Sequence, residues 1–152
     1  MSKIDFNTPD LTEHPPRSPR VKLGGYVTLP RIIDKARASI AGKLGEYHYA
    51  GKGRDRHFFA FTGLDHEGLK AEVAKGLGDG EILAWVNAST TRQKWEIALW
   101  SDYQARMAPD SDAETLAFFA EKVGAHTKTR EDINTWFDLI ELDDYCSFGG
   151  KA

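Results

Sequence analysis

Apolar residues along the chain fall into short runs of helical spacing, separated by glycine, proline and polar breaks. Leu29, Ile32, Ile33, Ala36 and Ile40 recur at three- and four-residue intervals, which predicts a first helix. Thr28 is placed to cap it, Pro30 falls in the first turn where a missing N–H costs nothing, and Gly42 and Gly45 end it. FFAFTG predicts a helical turn closing at Gly63. Asp65 is set to cap a helix carrying Leu69, Val73 and Leu77, and Asp79 another carrying Ile82, Leu83, Trp85 and Val86. In the second half, Thr90 with Gln93 and Ser111 with Glu114 read as capping boxes, and Thr129 with Asp132 as a third helix opening. The stripes that follow are Trp95, Leu99, Tyr103 and Met107, then Leu116, Phe119, Ala120 and Val123, then Ile133, Trp136, Phe137 and Ile140.

The expected architecture is therefore all-α, a compact array of about six short helices with short connections. Residues 1–28 hold four of the six prolines and read as an extended arm, with 29–152 as the helical body of one domain. Tyr47-His48-Tyr49 alternates and allows one very short strand. A chain of 152 residues buries roughly two-thirds of its unfolded surface, enough for a core. No apolar run approaches the roughly 18 residues of a membrane span. The start of the sequence lacks a secretory pattern and Cys146 is the only cysteine, so a reducing, cytoplasmic location without membrane contact is expected.

Charge is distributed unevenly. From His14 to His57 ten Lys/Arg oppose three acids, whereas from Phe58 onward nine oppose seventeen, within a total of -3. Overall acidity argues against DNA as a partner. Asp138, Glu141, Asp143 and Asp144 gather toward the end of the last helix, where the macrodipole already presents negative partial charge. A metal, a basic partner or the chain's own basic half would offset them. The internal solution needs no further molecule, so the arm and first helix are expected to dock on this tail.

The glycine-rich segments do not complete a nucleotide loop: Gly42-Lys43 is followed by Leu44 and Gly51-Lys52 by Gly53, where Ser or Thr is required. Gly76-Leu77-Gly78 looks like a helix-hairpin-helix turn, but Asp79 and Glu81 would face the phosphate, and a helix end followed by an aspartate cap accounts for it. His48, His57 and His66 show no metal-ligand spacing, so neither a metal nor another cofactor is expected. No serine lies in a G-x-S-x-G elbow, and Cys146 has no demonstrated basic neighbour.

KLGGYVTLPRIIDKARA, residues 22–38, is left. Its Arg31, Asp34 and Lys35 fall on the polar side of the first helix, where a solvated, ion-paired face is one reading. The other is an anion site made by Lys22, Arg31, Lys35 and the Gly24 and Gly25 amides, with Tyr47, His48 and Tyr49 as a neighbouring wall.

Lys22-Leu23-Gly24-Gly25-Tyr26, Leu29-Pro30-Arg31, Asp34-Lys35, Gly45-Glu46-Tyr47-His48-Tyr49, Gly78-Asp79-Gly80-Glu81-Ile82 and Trp136-Phe137-Asp138 together resemble the domain-of-unknown-function 5069 family. The resemblance spans nearly the whole chain. It implies one intracellular domain, directs attention to the basic first-helix segment, and carries no catalytic role to any position.

Two functions follow as expectations. One is a non-catalytic binding module that uses the basic arm and first helix to hold a protein partner or a small anionic ligand. The other is an enzyme on a small anionic substrate, with Arg31 and Lys35 as anchors and His48 as general acid/base. A closed pocket lined by Arg31, Tyr47 and His48 would favour the enzyme, and an open basic stripe with Tyr26 exposed would favour a partner surface.

Overall fold

A computed structural model describes residues 4–152; of the expected arm, residues 1–3 lie outside it. The described chain opens with β1 (Lys22–Leu23) and β2 (Tyr26–Val27), then α1 (Leu29–Ile40), α2 (Asp55–Thr62), α3 (His66–Val73), α4 (Asp79–Ser89), α5 (Lys94–Arg106), α6 (Ala113–His126) and α7 (Trp136–Ser147). It is mostly helical, as the periodicities predict. The predicted FFAFTG turn is a full helix, α2, stopped by Gly63 in the left-handed region.

The very short strand that Tyr47–Tyr49 allowed does not form. Both strands among the described residues lie in the arm, where Lys22 pairs with Val27 and Leu23 with Tyr26 across the Gly24-Gly25 turn. In the 45–53 segment the Tyr47 and Tyr49 hydroxyls donate to Asp144 and to His66 O, and Ala50 N–H donates to Asp55.

The hairpin lies against α5 and fixes which side of that helix is buried. Ser101 Oγ donates to Gly25 O at 2.6 Å and accepts from Val27 N–H at 3.2 Å. A backbone ribbon carries polar groups that need partners once covered, so Ser101 and Gln104 are buried with Ile97. The predicted apolar stripe faces outward: Trp95, Leu99 and Tyr103 are 68%, 65% and 60% exposed. A Cβ on Gly24 would stand 2.4 Å from Leu83 Cδ1, and one on Gly25 3.3 Å from Ile97 Cγ2. Those glycines allow the hairpin to approach α4 and α5.

Burial of Tyr26, Leu29, Ile32, Ile33, Phe58, Leu69, Ile82 and Val86 forms the main core between the hairpin, α1, α2, α3 and α4. Phe119, Ile133 and Leu142 make a smaller cluster where α6 packs on α7. No helix among the described residues is long and apolar enough to cross a membrane.

Several helix openings are displaced from their predicted caps. Thr28 has φ 67°, and its hydroxyl donates to Val27 O at 2.5 Å instead of capping α1. Thr90 Oγ1 donates to Thr62 O, so α5 starts later with Glu96 accepting from Gln93 N–H. Asp112, not Ser111, caps α6. Thr127, not Thr129, holds the turn after α6, and α7 is capped by Thr135 with Asp138. Asp65 caps α3 as predicted. Asp79 enters the first turn of α4 after Gly78, and its carboxylate is held by Arg17 and Arg37.

Candidate functional site

Arg31 and Lys35 do not lie on a solvated face. Each is only 7% exposed, one turn apart on α1, beneath the arm, the 45–55 segment and α7. Each has its own carboxylate. Arg31 binds Asp144 through two bonds of 2.7 and 3.0 Å and donates to Arg17 O at 3.1 Å. Lys35 Nζ lies 2.6 Å from Asp55 Oδ2. Tyr47 closes the gap between the two: its hydroxyl donates to Asp144 at 2.7 Å, and the Arg31 guanidinium stands 5.5 Å from its ring centroid.

The basic arm docks on the acidic last helix. Arg20 pairs with Asp138 and, at 2.7 Å, with Glu141, while Ser18 Oγ donates to Glu141 at 2.9 Å. Arg17 bridges Asp34 and Asp79, tying the arm to α1 and α4. Half of the basic segment's ten cations, Arg17, Arg20, Arg31, Lys35 and Arg37, are thereby paired with carboxylates of the chain itself.

A cavity of about 180 Å³ is lined by Pro19, Thr28, Arg31, Lys35, Glu46, Tyr47, His48, Lys52, Gly53, Arg54, Asp55 and Ile140, so that Lys52 and Arg54, which pair with no carboxylate among the described residues, share it with the paired Arg31 and Lys35. Four Lys/Arg and one histidine face two carboxylates there. Arg54 is the unusual member. Its Nη2 donates to Gln104 Oε1 at 2.7 Å and touches Met107 Sδ at 2.8 Å, yet its buried Nε has no partner. No carboxylate pairs with it among the described residues. Burial, with Arg56 nearby, holds its pKa below the ordinary guanidinium value. An incompletely paired, half-buried guanidinium is costly without an anion.

Two further residues of the cavity wall are also perturbed. Burial lowers the Lys35 pKa, an effect Asp55 opposes and Arg31 adds to. Burial, the hydrogen bond to Asp144 and that carboxylate's charge push the Tyr47 phenol well up.

Backbone strain collects at the same place. Thr28 and Ala50 are the non-glycine residues with positive φ among the described residues, at 67° and 62°. Such conformations cost about 1–3 kcal/mol each and persist only where the surroundings impose them. Thr28 is held by its N–H bond to Pro19 O and forms part of the cavity wall. Ala50 N–H donates to Asp55 Oδ2 at 3.0 Å, which orients the carboxylate that meets Lys35.

Of the predicted site residues, Arg31, Lys35, Tyr47 and His48 converge on the cavity. Tyr49 turns away, its hydroxyl donating to His66 O at 2.6 Å and its ring packing edge-on against Phe59. Lys22 is exposed on the hairpin, and Gly24 and Gly25 face Leu83 and Ile97. Sequence reasoning missed Thr28, Lys52, Arg54 and Asp55 as wall residues. A signal for three of them lay in GKGRD, where two cations alternate with glycines at the start of a helix.

No curated protein matches the chain. The profile of a domain of unknown function, DUF5069, matches residues 13–146, from the arm through α7 and including the whole cavity wall, and the chain belongs to that family.

Proposed function

We propose that the protein binds a small anionic metabolite in the cavity between the arm, α1 and the 45–55 segment, within the reducing cytoplasm expected of its single cysteine. Arg54 carries the reading: a partly buried guanidinium without a carboxylate, on a wall it shares with Lys52 and His48. The cavity, smaller than the roughly 300 Å³ where drug-sized sites begin, suits a compound of few heavy atoms. Tyr26 is buried and Arg17, Arg20 and Arg31 are engaged internally, so a partner-binding stripe along the arm has less support. The strain at Thr28 and Ala50 and the three perturbed groups around the cavity fit a functional site.

Thermal unfolding with millimolar oxalate and inorganic phosphate at low ionic strength tests this. Wild type should be stabilised by at least one anion, because a ligand bound only by the native state raises its stability. Arg54→Gln should abolish that response while remaining folded. No response to either anion, or an undiminished response in Arg54→Gln, would refute the assignment.

A further inference from the structure

A primary amine, Lys35, shares the cavity wall with Arg31, Lys52 and Arg54. Lys35 Nζ has three donors, and Asp55 is its one partner among the described residues, which leaves the ammonium unsaturated on the cavity wall. Arg31 lies one helical turn away on the same side of α1, and Arg54 and Lys52 lie on the 52–55 segment that also supplies Asp55. This arrangement exceeds what charge neutralisation requires, since two cations with two carboxylates would be satisfied without a cavity. A lysine that is desolvated and adjacent to another cation is one of the recognised settings for an amine nucleophile.

We propose that Lys35 condenses with the carbonyl of a small 2-oxo acid to form an iminium, with the substrate carboxylate on the Arg54 guanidinium and the Lys52 ammonium. This rests on the anion-binding reading above and names its substrate class. Asp55 takes one proton from the Lys35 ammonium, giving a neutral amine and a carboxylic acid. The nitrogen lone pair attacks the carbonyl carbon, the N–C bond forms, and the C=O π electrons move to oxygen. A second proton passes from nitrogen to that oxygen, giving a carbinolamine. Asp55 then returns its proton to the hydroxyl, the C–O bond breaks, water leaves, and the nitrogen lone pair completes the C=N⁺ bond. Asp55 ends as a carboxylate beside the cationic iminium, so no external oxidant or reductant is involved. Burial and Arg31 favour the neutral amine at the first step.

The test treats wild type with glyoxylate or pyruvate followed by borohydride, and maps the reduced adduct by mass spectrometry. One adduct per chain, located on Lys35 and suppressed by excess oxalate, is expected. Lys35→Arg, which keeps the charge beside Asp55, should give no adduct and should still be stabilised by oxalate. Labelling of the exposed lysines without preference for Lys35, or labelling of Lys35 that oxalate leaves unchanged, would overturn the proposal. Stabilisation by oxalate with no adduct would overturn iminium formation and leave anion binding standing. Absence of both responses would overturn both.

Discussion

Removing Asp144 separates the structural part of the site from its chemistry. Asp144→Ala deprives the buried Arg31 guanidinium of two charge-assisted bonds and the Tyr47 hydroxyl of its acceptor, leaving Arg31 with the Arg17 carbonyl. Breaking a buried ion pair from one side costs about 3–5 kcal/mol, because the remaining charge stays desolvated. At about 2–4 °C per kcal/mol for a chain of this size, the melting temperature should fall by roughly 10 °C. With a urea slope of about 2 kcal/mol/M, the midpoint should drop by about 2 M at constant slope. The four tryptophans provide a fluorescence signal for both measurements. The triple variant Arg31→Met/Tyr47→Phe/Asp144→Leu removes both charges and the phenolic hydroxyl, so it should recover to within about 1 kcal/mol of wild type. It keeps Arg54 and should still be stabilised by oxalate. A loss below about 1 kcal/mol for Asp144→Ala, or a triple variant as unstable as the single one, would refute the view that a desolvated Arg31 is what Asp144 compensates.

Glu141→Lys should cost about 1 kcal/mol in chemical denaturation, because it replaces attraction to Arg20 by repulsion at a partly exposed site and removes the acceptor of the Ser18 hydroxyl. Gly24→Ala should cost about 1–3 kcal/mol, read as a lowered urea midpoint, because its φ of 59° strains an L residue and its Cβ would displace Leu83. Tyr26, Tyr47 and Tyr49 all have phenols whose pKa burial raises, so the native state keeps protons that the unfolded chain gives up near pH 10. Stability from them is complete below pH 10 and declines as pH rises toward the folded values, and in an ultraviolet titration these three phenols should ionise above pH 10 or on unfolding. Leu99→Lys, on the outward face of α5, should change stability by less than about 0.5 kcal/mol by urea unfolding.

Much of the helical pattern was legible because it is local. The stripe of α1, the glycine after α2 and the cap of α3 depend on residues within a few positions of one another. The caps of α5, α6 and α7 were missed by one to six positions because several Thr, Ser and Asp residues compete near each helix start, and neighbours such as Thr62 decide which one is free. The α5 periodicity was correct as a helix and misleading as a face. A polar hairpin, distant in sequence, covers Ser101 and leaves Trp95, Leu99 and Tyr103 outside.

The sequence by itself determined a mostly helical chain, a charge asymmetry between its halves, and four of the cavity's residues: Arg31, Lys35, Tyr47 and His48. Tertiary structure alone decided which charges neutralise one another. Arg31 meets Asp144 across 113 positions, Arg20 meets Glu141 across 121, and Arg54 meets an amide and a sulfur instead of a carboxylate. Helix spacing follows from backbone geometry and is written within single segments. Whether a cation is satisfied depends on the burial and partners it acquires when distant segments pack, and that difference separates Arg54 from the arginines of the arm.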